Sequence, residues 1–143
     1  MLRALAEGGF YPVFQPIVDL AEGGQVGYEA LTRFAGEMAP DAAFRAAARA
    51  GIQRELELAT VRRALRQGTS RVQPGQFLSV NISPEVLVAA CAELGRVFHK
   101  RRYEVVVEIT EHSEVADYDE LRSAVARLGP RVRLAVIRQW TEG

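Results

Sequence analysis

The sequence predicts an α/β domain in which a β-hairpin precedes βα units around a parallel sheet. Two runs rich in β-branched and aromatic residues, FYPVFQPIVDL and QVGYEALTRF, are joined by AEGG, whose two glycines supply turn conformations. Strand-like and helix-like segments then alternate along the rest of the chain. That order is typical of βα units, so the strands after the hairpin are expected to run parallel.

The individual elements follow from local signals. Pro12 and Pro16 place the first strand at a sheet edge or shorten it, because proline cannot donate to a central ladder. Helices are predicted over FRAAARA, over IQRELELATVRRALRQ, over EVLVAACAEL with Ser83 as its N-cap, and over 119–128. The strands after the hairpin are QFLSVNIS, YEVVVEIT and VRLAVI.

Composition limits the classes of protein to which the chain can belong. The 143 residues are 48% hydrophobic and 25% charged, a mixture typical of one compact domain. The formal net charge is zero, so no whole-molecule field draws the chain to a nucleic-acid polymer or an anionic membrane. A single cysteine excludes an internal disulfide, and no apolar stretch is long enough to span a bilayer. The sequence therefore predicts a cytoplasmic protein.

Three polar residues are predicted to share one face of the sheet. Residues two apart in a strand point the same way, so Glu29, Asn81 and Glu108 lie opposite the apolar residues that face the helices. Each is near the carboxyl end of its strand, where α/β folds bind ligands.

The chemistry of this group leaves two interpretations open. Carboxylate and amide oxygens are ligands that magnesium or manganese prefers, and Arg33 on the same face could pair with a phosphate. Alternatively, Asn81 ties down a loop while the two glutamates pair with arginines at the rim of the sheet. The spacing alone does not choose between them.

Four short motifs in order resemble a known family. QPIVDL, YEALTRF, SVNISP and VEITE together resemble the EAL domain, a bacterial phosphodiesterase module that hydrolyses cyclic di-GMP to the linear dinucleotide pGpG with two magnesium or manganese ions. The resemblance runs from about Phe10 to Val136. It implies a TIM-like (β/α) barrel.

The resemblance also implies roles for particular residues. Glu29, Asn81 and Glu108 correspond to metal ligands. Gln15, Leu31 and Arg33 correspond to residues beside the dinucleotide, and Glu111 has a supporting role.

The chain departs from the family after its fifth strand. The family has an aspartate pair there, whereas RLAV is followed here by Ile137 and Arg138. The later lysine, the further acidic ligand and the glutamine-glycine segment are also missing. We therefore predict no catalytic residue in this chain, and no metal held by it alone, because an arginine repels a dication. The domain prediction is a partial EAL domain over 1–136 and a tail outside the family over 137–143.

Length sets a further limit. A (β/α)₈ barrel needs about 250 residues, so this chain supplies roughly the first half of one. An open sheet edge and an exposed inner face favour a homo-oligomer or another protein partner. The predicted function is an inactive cyclic di-GMP signalling domain that acts as a binding or protein-interaction module. The alternative is a cyclic di-GMP phosphodiesterase completed by a longer EAL protein or a second chain.

Overall fold

The computed structural model describes residues 9–111 and 117–138. Its five strands form one sheet in the order β1-β2-β3-β4-β5. The strands are β1 Phe10–Val18, β2 Gln25–Phe34, β3 Phe77–Asn81, β4 Glu104–Glu111 and β5 Val132–Arg138. The helices are α1 Pro40–Arg49, α2 Gln53–Gly68, α3 Pro84–Ala89, α4 Cys91–His99 and α5 Tyr118–Arg127, with a short 3-10 turn at Ala35–Glu37.

The predicted hairpin is confirmed. β1 and β2 pair antiparallel from Phe10 opposite Phe34 to Ile17 opposite Gly27. The connecting turn is closed by the backbone N–H of Gly23, which donates to the carbonyl of Asp19 at 2.7 Å, with Gly23 at a φ of 76°. β1 is an edge strand of the sheet, as its prolines predict.

The remaining strands are parallel, and the helices pack on one side of them. β2, β3, β4 and β5 pair in sequence order, each with the next. The core between sheet and helices includes the fully buried residues Leu65, Leu78, Leu87, Leu94 and Ile109. The predicted α/β class, a hairpin followed by parallel βα units, is therefore confirmed.

One predicted helix is interrupted. The run EVLVAACAEL forms two helices, α3 and α4, which meet at Ala90 with φ −105° and ψ 20°. The predicted N-cap is confirmed, since the Ser83 hydroxyl accepts the Val86 N–H at 3.4 Å. In the described ranges, no helix combines the length and the hydropathy that crossing a membrane requires.

Candidate functional site

The strand register brings the three predicted polar residues together on the face of the sheet away from the helices. In the parallel register, Asn81 pairs with Glu108 and Glu29 pairs with Ser79, two residues before Asn81. Glu29 and Glu108 therefore lie on either side of β3, and Asn81 lies between them at its carboxyl end.

Glu29 is the electrostatic centre of this group. Burial raises the pKa of Glu29 above its ordinary value of 4.5, the negative charge of Glu108 raises that pKa further, and a hydrogen bond from the Asn81 side chain lowers it. Within the described residues, neither glutamate forms an ion pair with an arginine. Among the described residues, the Asn81 amide is the group that lowers the pKa of Glu29.

Arg33 supplies positive charge further along β2. It lies four residues beyond Glu29 on the same face, its side chain is exposed, and no described carboxylate lies within ion-pair distance of it. Arg33, Leu31 and Asn81 also line a cavity of 280 Å³, which extends to Thr60 and Ala64 of α2 and includes neither glutamate. Arg33 is thus available to an anion.

Two further predicted residues lie at the margins. Gln15 pairs directly with Glu29 across the hairpin, so its exposed side chain shares the open face. Glu111 is the last residue of β4, but its side chain lies outside the described part of the structure.

The fifth strand adds no oxygen ligand next to Glu108. Ala135 pairs with Glu108, and Ile137, two residues later on the same face, pairs with Thr110. Within the described ranges, no three histidine, cysteine, aspartate or glutamate side chains are close enough to hold one metal ion. Among the described residues, the oxygen donors near the carboxyl ends of β2, β3 and β4 on this face are therefore the carboxylates of Glu29 and Glu108 and the amide of Asn81.

Ser79 is a polar residue of this face that the sequence patterns did not single out. Its side chain is fully buried, and its hydroxyl has no hydrogen-bond partner in the described structure. It stands next to Glu29 in the register and two residues before Asn81. An unpaired buried hydroxyl costs free energy, so Ser79 Oγ is an unsatisfied polar group next to Glu29.

A buried acid also lies behind the site. Glu57 on α2 is 6% exposed, and its Oε1 accepts the backbone N–H of Ser83 at 2.7 Å. Its Oε2 accepts the Ser83 hydroxyl at 2.9 Å and the Gln53 side-chain amide at 2.9 Å. The sequence held a signal for Glu57, because Glu57 lies one helical turn before the buried Val61.

The chain is similar to one known protein family. The family model of the EAL domain matches residues 1–136. No curated protein matches the chain.

Several solved structures share the fold. Klebsiella pneumoniae BlrP1, in a manganese and cy-diGMP complex at pH 6, has a TM-score of 0.72 and 22% identity over 90% of this chain and 34% of its own. An EAL domain protein from Listeria monocytogenes EGD-e has a TM-score of 0.67 and 18% identity over 94% of this chain and 56% of its own. The phosphodiesterase PaMucR, in a c-di-GMP complex, has a TM-score of 0.64 and 21% identity over 84% of this chain and 55% of its own.

This chain therefore spans between about a third and just over half of those structures. The likeness shows that its sheet and helices correspond to part of the same α/β fold. Because the family model matches nearly the whole sequence, the chain belongs to the EAL domain family.

Proposed function

We propose that this chain binds cyclic di-GMP through the open face of its sheet and does not hydrolyse it alone. The observation that carries the proposal is the grouping of Glu29, Asn81 and Glu108 on one face of the sheet. Arg33, which has no ion pair among the described residues, lies on the same face four residues beyond Glu29. An arginine on the same face as an acidic oxygen cluster suits a phosphodiester that binds together with a divalent cation.

The donor set fits one magnesium or manganese ion. Glu29, Glu108 and the amide oxygen of Asn81 are hard oxygen ligands, and the Ser79 hydroxyl is a further unsatisfied polar group beside Glu29. Such an ion would polarise a phosphoryl oxygen of the bound dinucleotide. Since magnesium sites of this kind use one or two carboxylates together with ligand phosphates, we expect firm metal uptake only with the dinucleotide present.

Hydrolysis by the chain alone is not expected. A two-metal site needs more oxygen ligands, and the positions of β5 beside Glu108 and Thr110 are Ala135 and Ile137. The alternative of a phosphodiesterase remains open if a second chain or a further segment supplies those ligands. In that case Glu29, Asn81 and Glu108 would contribute to the metal site.

Calorimetric titration of cyclic di-GMP tests the proposal. We expect binding that strengthens when manganese is present, and a loss of about tenfold or more in affinity for Arg33→Ala, because a charge-assisted hydrogen bond contributes about 1.5–3 kcal/mol. Arg49→Ala, an exposed arginine at the end of α1, is the matched control and should bind normally. No binding with or without manganese would refute the proposal and favour a module that binds only protein.

Chromatographic assay of the nucleotide after incubation tests inactivity separately. We expect unchanged cyclic di-GMP at high protein concentration with manganese. If the wild type converts cyclic di-GMP to pGpG and Glu29→Ala does not, the catalytic site is complete in the sample and the proposed inactivity is wrong. The oligomeric state of the active sample would then show whether a second chain supplies the remaining ligands.

A further inference from the structure

We propose that Glu57 is a positioning residue for this site, acting through Ser83 to hold the end of β3 so that the Asn81 side chain stays on the open face beside Glu108. Glu57 is on α2, and its carboxylate binds Ser83, two residues after the end of β3. It shares a cavity of 260 Å³ with Asn81, Ser83 and Glu108.

The chain after Asn81 is held from two sides. The N–H of Ile82 donates to the carbonyl of Glu108 at 3.2 Å, which ties the end of β3 to β4. The N–H of Ser83 donates to Glu57 at 2.7 Å, which ties the next residue to α2. Because Asn81 directly precedes these two anchored residues, its backbone direction is set by both contacts.

The Glu57 contacts form a closed hydrogen-bonding network. The carboxylate accepts three hydrogen bonds, two from Ser83 and one from Gln53. The Gln53 amide also donates to the Ser83 hydroxyl at 3.1 Å. A buried carboxylate with this many donors is a rigid anchor, since moving Ser83 would remove two of its three hydrogen bonds and leave the Ser83 N–H without this acceptor.

A purely structural explanation is that Glu57 serves only to cap α3. Ser83 already caps that helix through Val86 N–H, and at 3.4 Å this bond is much longer than the Glu57 contacts. The strongest contacts in the network therefore act on the residues that follow Asn81. A capping role predicts lower stability alone, whereas a positioning role predicts that Asn81 itself changes.

The test compares Glu57→Gln with Glu55→Gln, an exposed glutamate on the same helix that undergoes the same change of charge. We expect the side-chain amide NMR signals of Asn81 to shift in folded Glu57→Gln and in Ser83→Ala, and to stay in place in Glu55→Gln. Wild-type positions for these signals in both folded Glu57→Gln and Ser83→Ala would overturn the proposal. Ser83→Ala keeps the experiment informative if the Glu57 variant fails to fold.

The second readout rests on the function proposed above. We expect Glu57→Gln to weaken manganese-dependent cyclic di-GMP binding about tenfold, with little change in Glu55→Gln. If the wild type binds neither manganese nor the dinucleotide, the proposed function fails, while the Asn81 signals still decide whether Glu57 positions that side chain. Unchanged affinity in a folded Glu57→Gln variant of a binding-competent protein would refute the positioning role.

Discussion

At the residue scale, the charge of Glu29 is the feature with the clearest consequence for stability. Its folded pKa lies above the ordinary value of 4.5, chiefly through burial and then through Glu108. A raised folded pKa means that protonation favours the folded state. The benefit is complete below the unfolded pKa and is lost as the pH rises through the folded pKa.

Glu29→Gln should therefore raise the unfolding temperature at pH 7, by a few degrees at most for one partly exposed group. The difference from the wild type should shrink as the pH falls below 4.5 and vanish near pH 3, where Glu29 is protonated in both states. Thermal unfolding followed by circular dichroism at several pH values measures it. Glu22→Gln, in the exposed hairpin turn, is the control, and a stabilisation that persists unchanged at pH 3 would contradict the electrostatic explanation.

The alternation of side chains along each strand predicted the positions of some site residues and not of others. Glu29, Asn81 and Glu108 could be assigned to one face because alternation is a local property of each strand. The role of Glu57 could not be assigned from the sequence, because that role depends on where α2 packs against the end of β3. Helical periodicity predicts only that Glu57 is buried.

At the element scale, Gly27 controls how closely β2 approaches β3. A Cβ at this position would lie 2.3 Å from the carbonyl oxygen of Phe77, its register partner. That distance is far below contact, so the two strands would have to separate. The same register places Glu29 beside Ser79, so strand separation would disturb the site as well as the sheet.

Gly27→Ala should destabilise the fold by about 1–3 kcal/mol or more, as overpacking usually does. Urea unfolding measures the change. Gly24→Ala is the matched control, because nothing lies within 4 Å of a Cβ there and it should be close to neutral. Equal stabilities for the two variants would show that β2 and β3 can adjust without cost.

The break between α3 and α4 could not be predicted from local sequence signals. The run EVLVAACAEL, which includes Ala90, contains no proline or glycine, so its periodicity predicts one continuous helix. In the structure both α3 and α4 pack against α2 and α5. The break at Ala90 therefore has no local signal in the sequence, whereas the Ser83 cap, a local signal, was predictable.

At the scale of the whole molecule, the sheet is open. Among the described residues, β1 and β5 each pair with one strand. On the face without helices, the side chains of Tyr11, Val13 and Ile137 are 54%, 37% and 44% exposed. The limited length of the chain predicted this incompleteness, because five strands and five helices cannot close an eight-stranded barrel. An exposed edge and an apolar face favour association.

We therefore expect the 143-residue protein to self-associate, and Ile137→Lys on β5 to weaken that association at least tenfold. Leu20→Lys is the control, because Leu20 is 98% exposed in the hairpin turn, away from the open face. Sedimentation velocity over a range of concentrations measures the equilibrium. A wild type that stays monomeric throughout, or equal effects of the two lysines, would contradict a role for β5. If a second copy also completes the ligand site, cyclic di-GMP affinity should rise with protein concentration. Ile137→Lys should then move that rise to protein concentrations at least tenfold higher, because it weakens the association on which the rise depends.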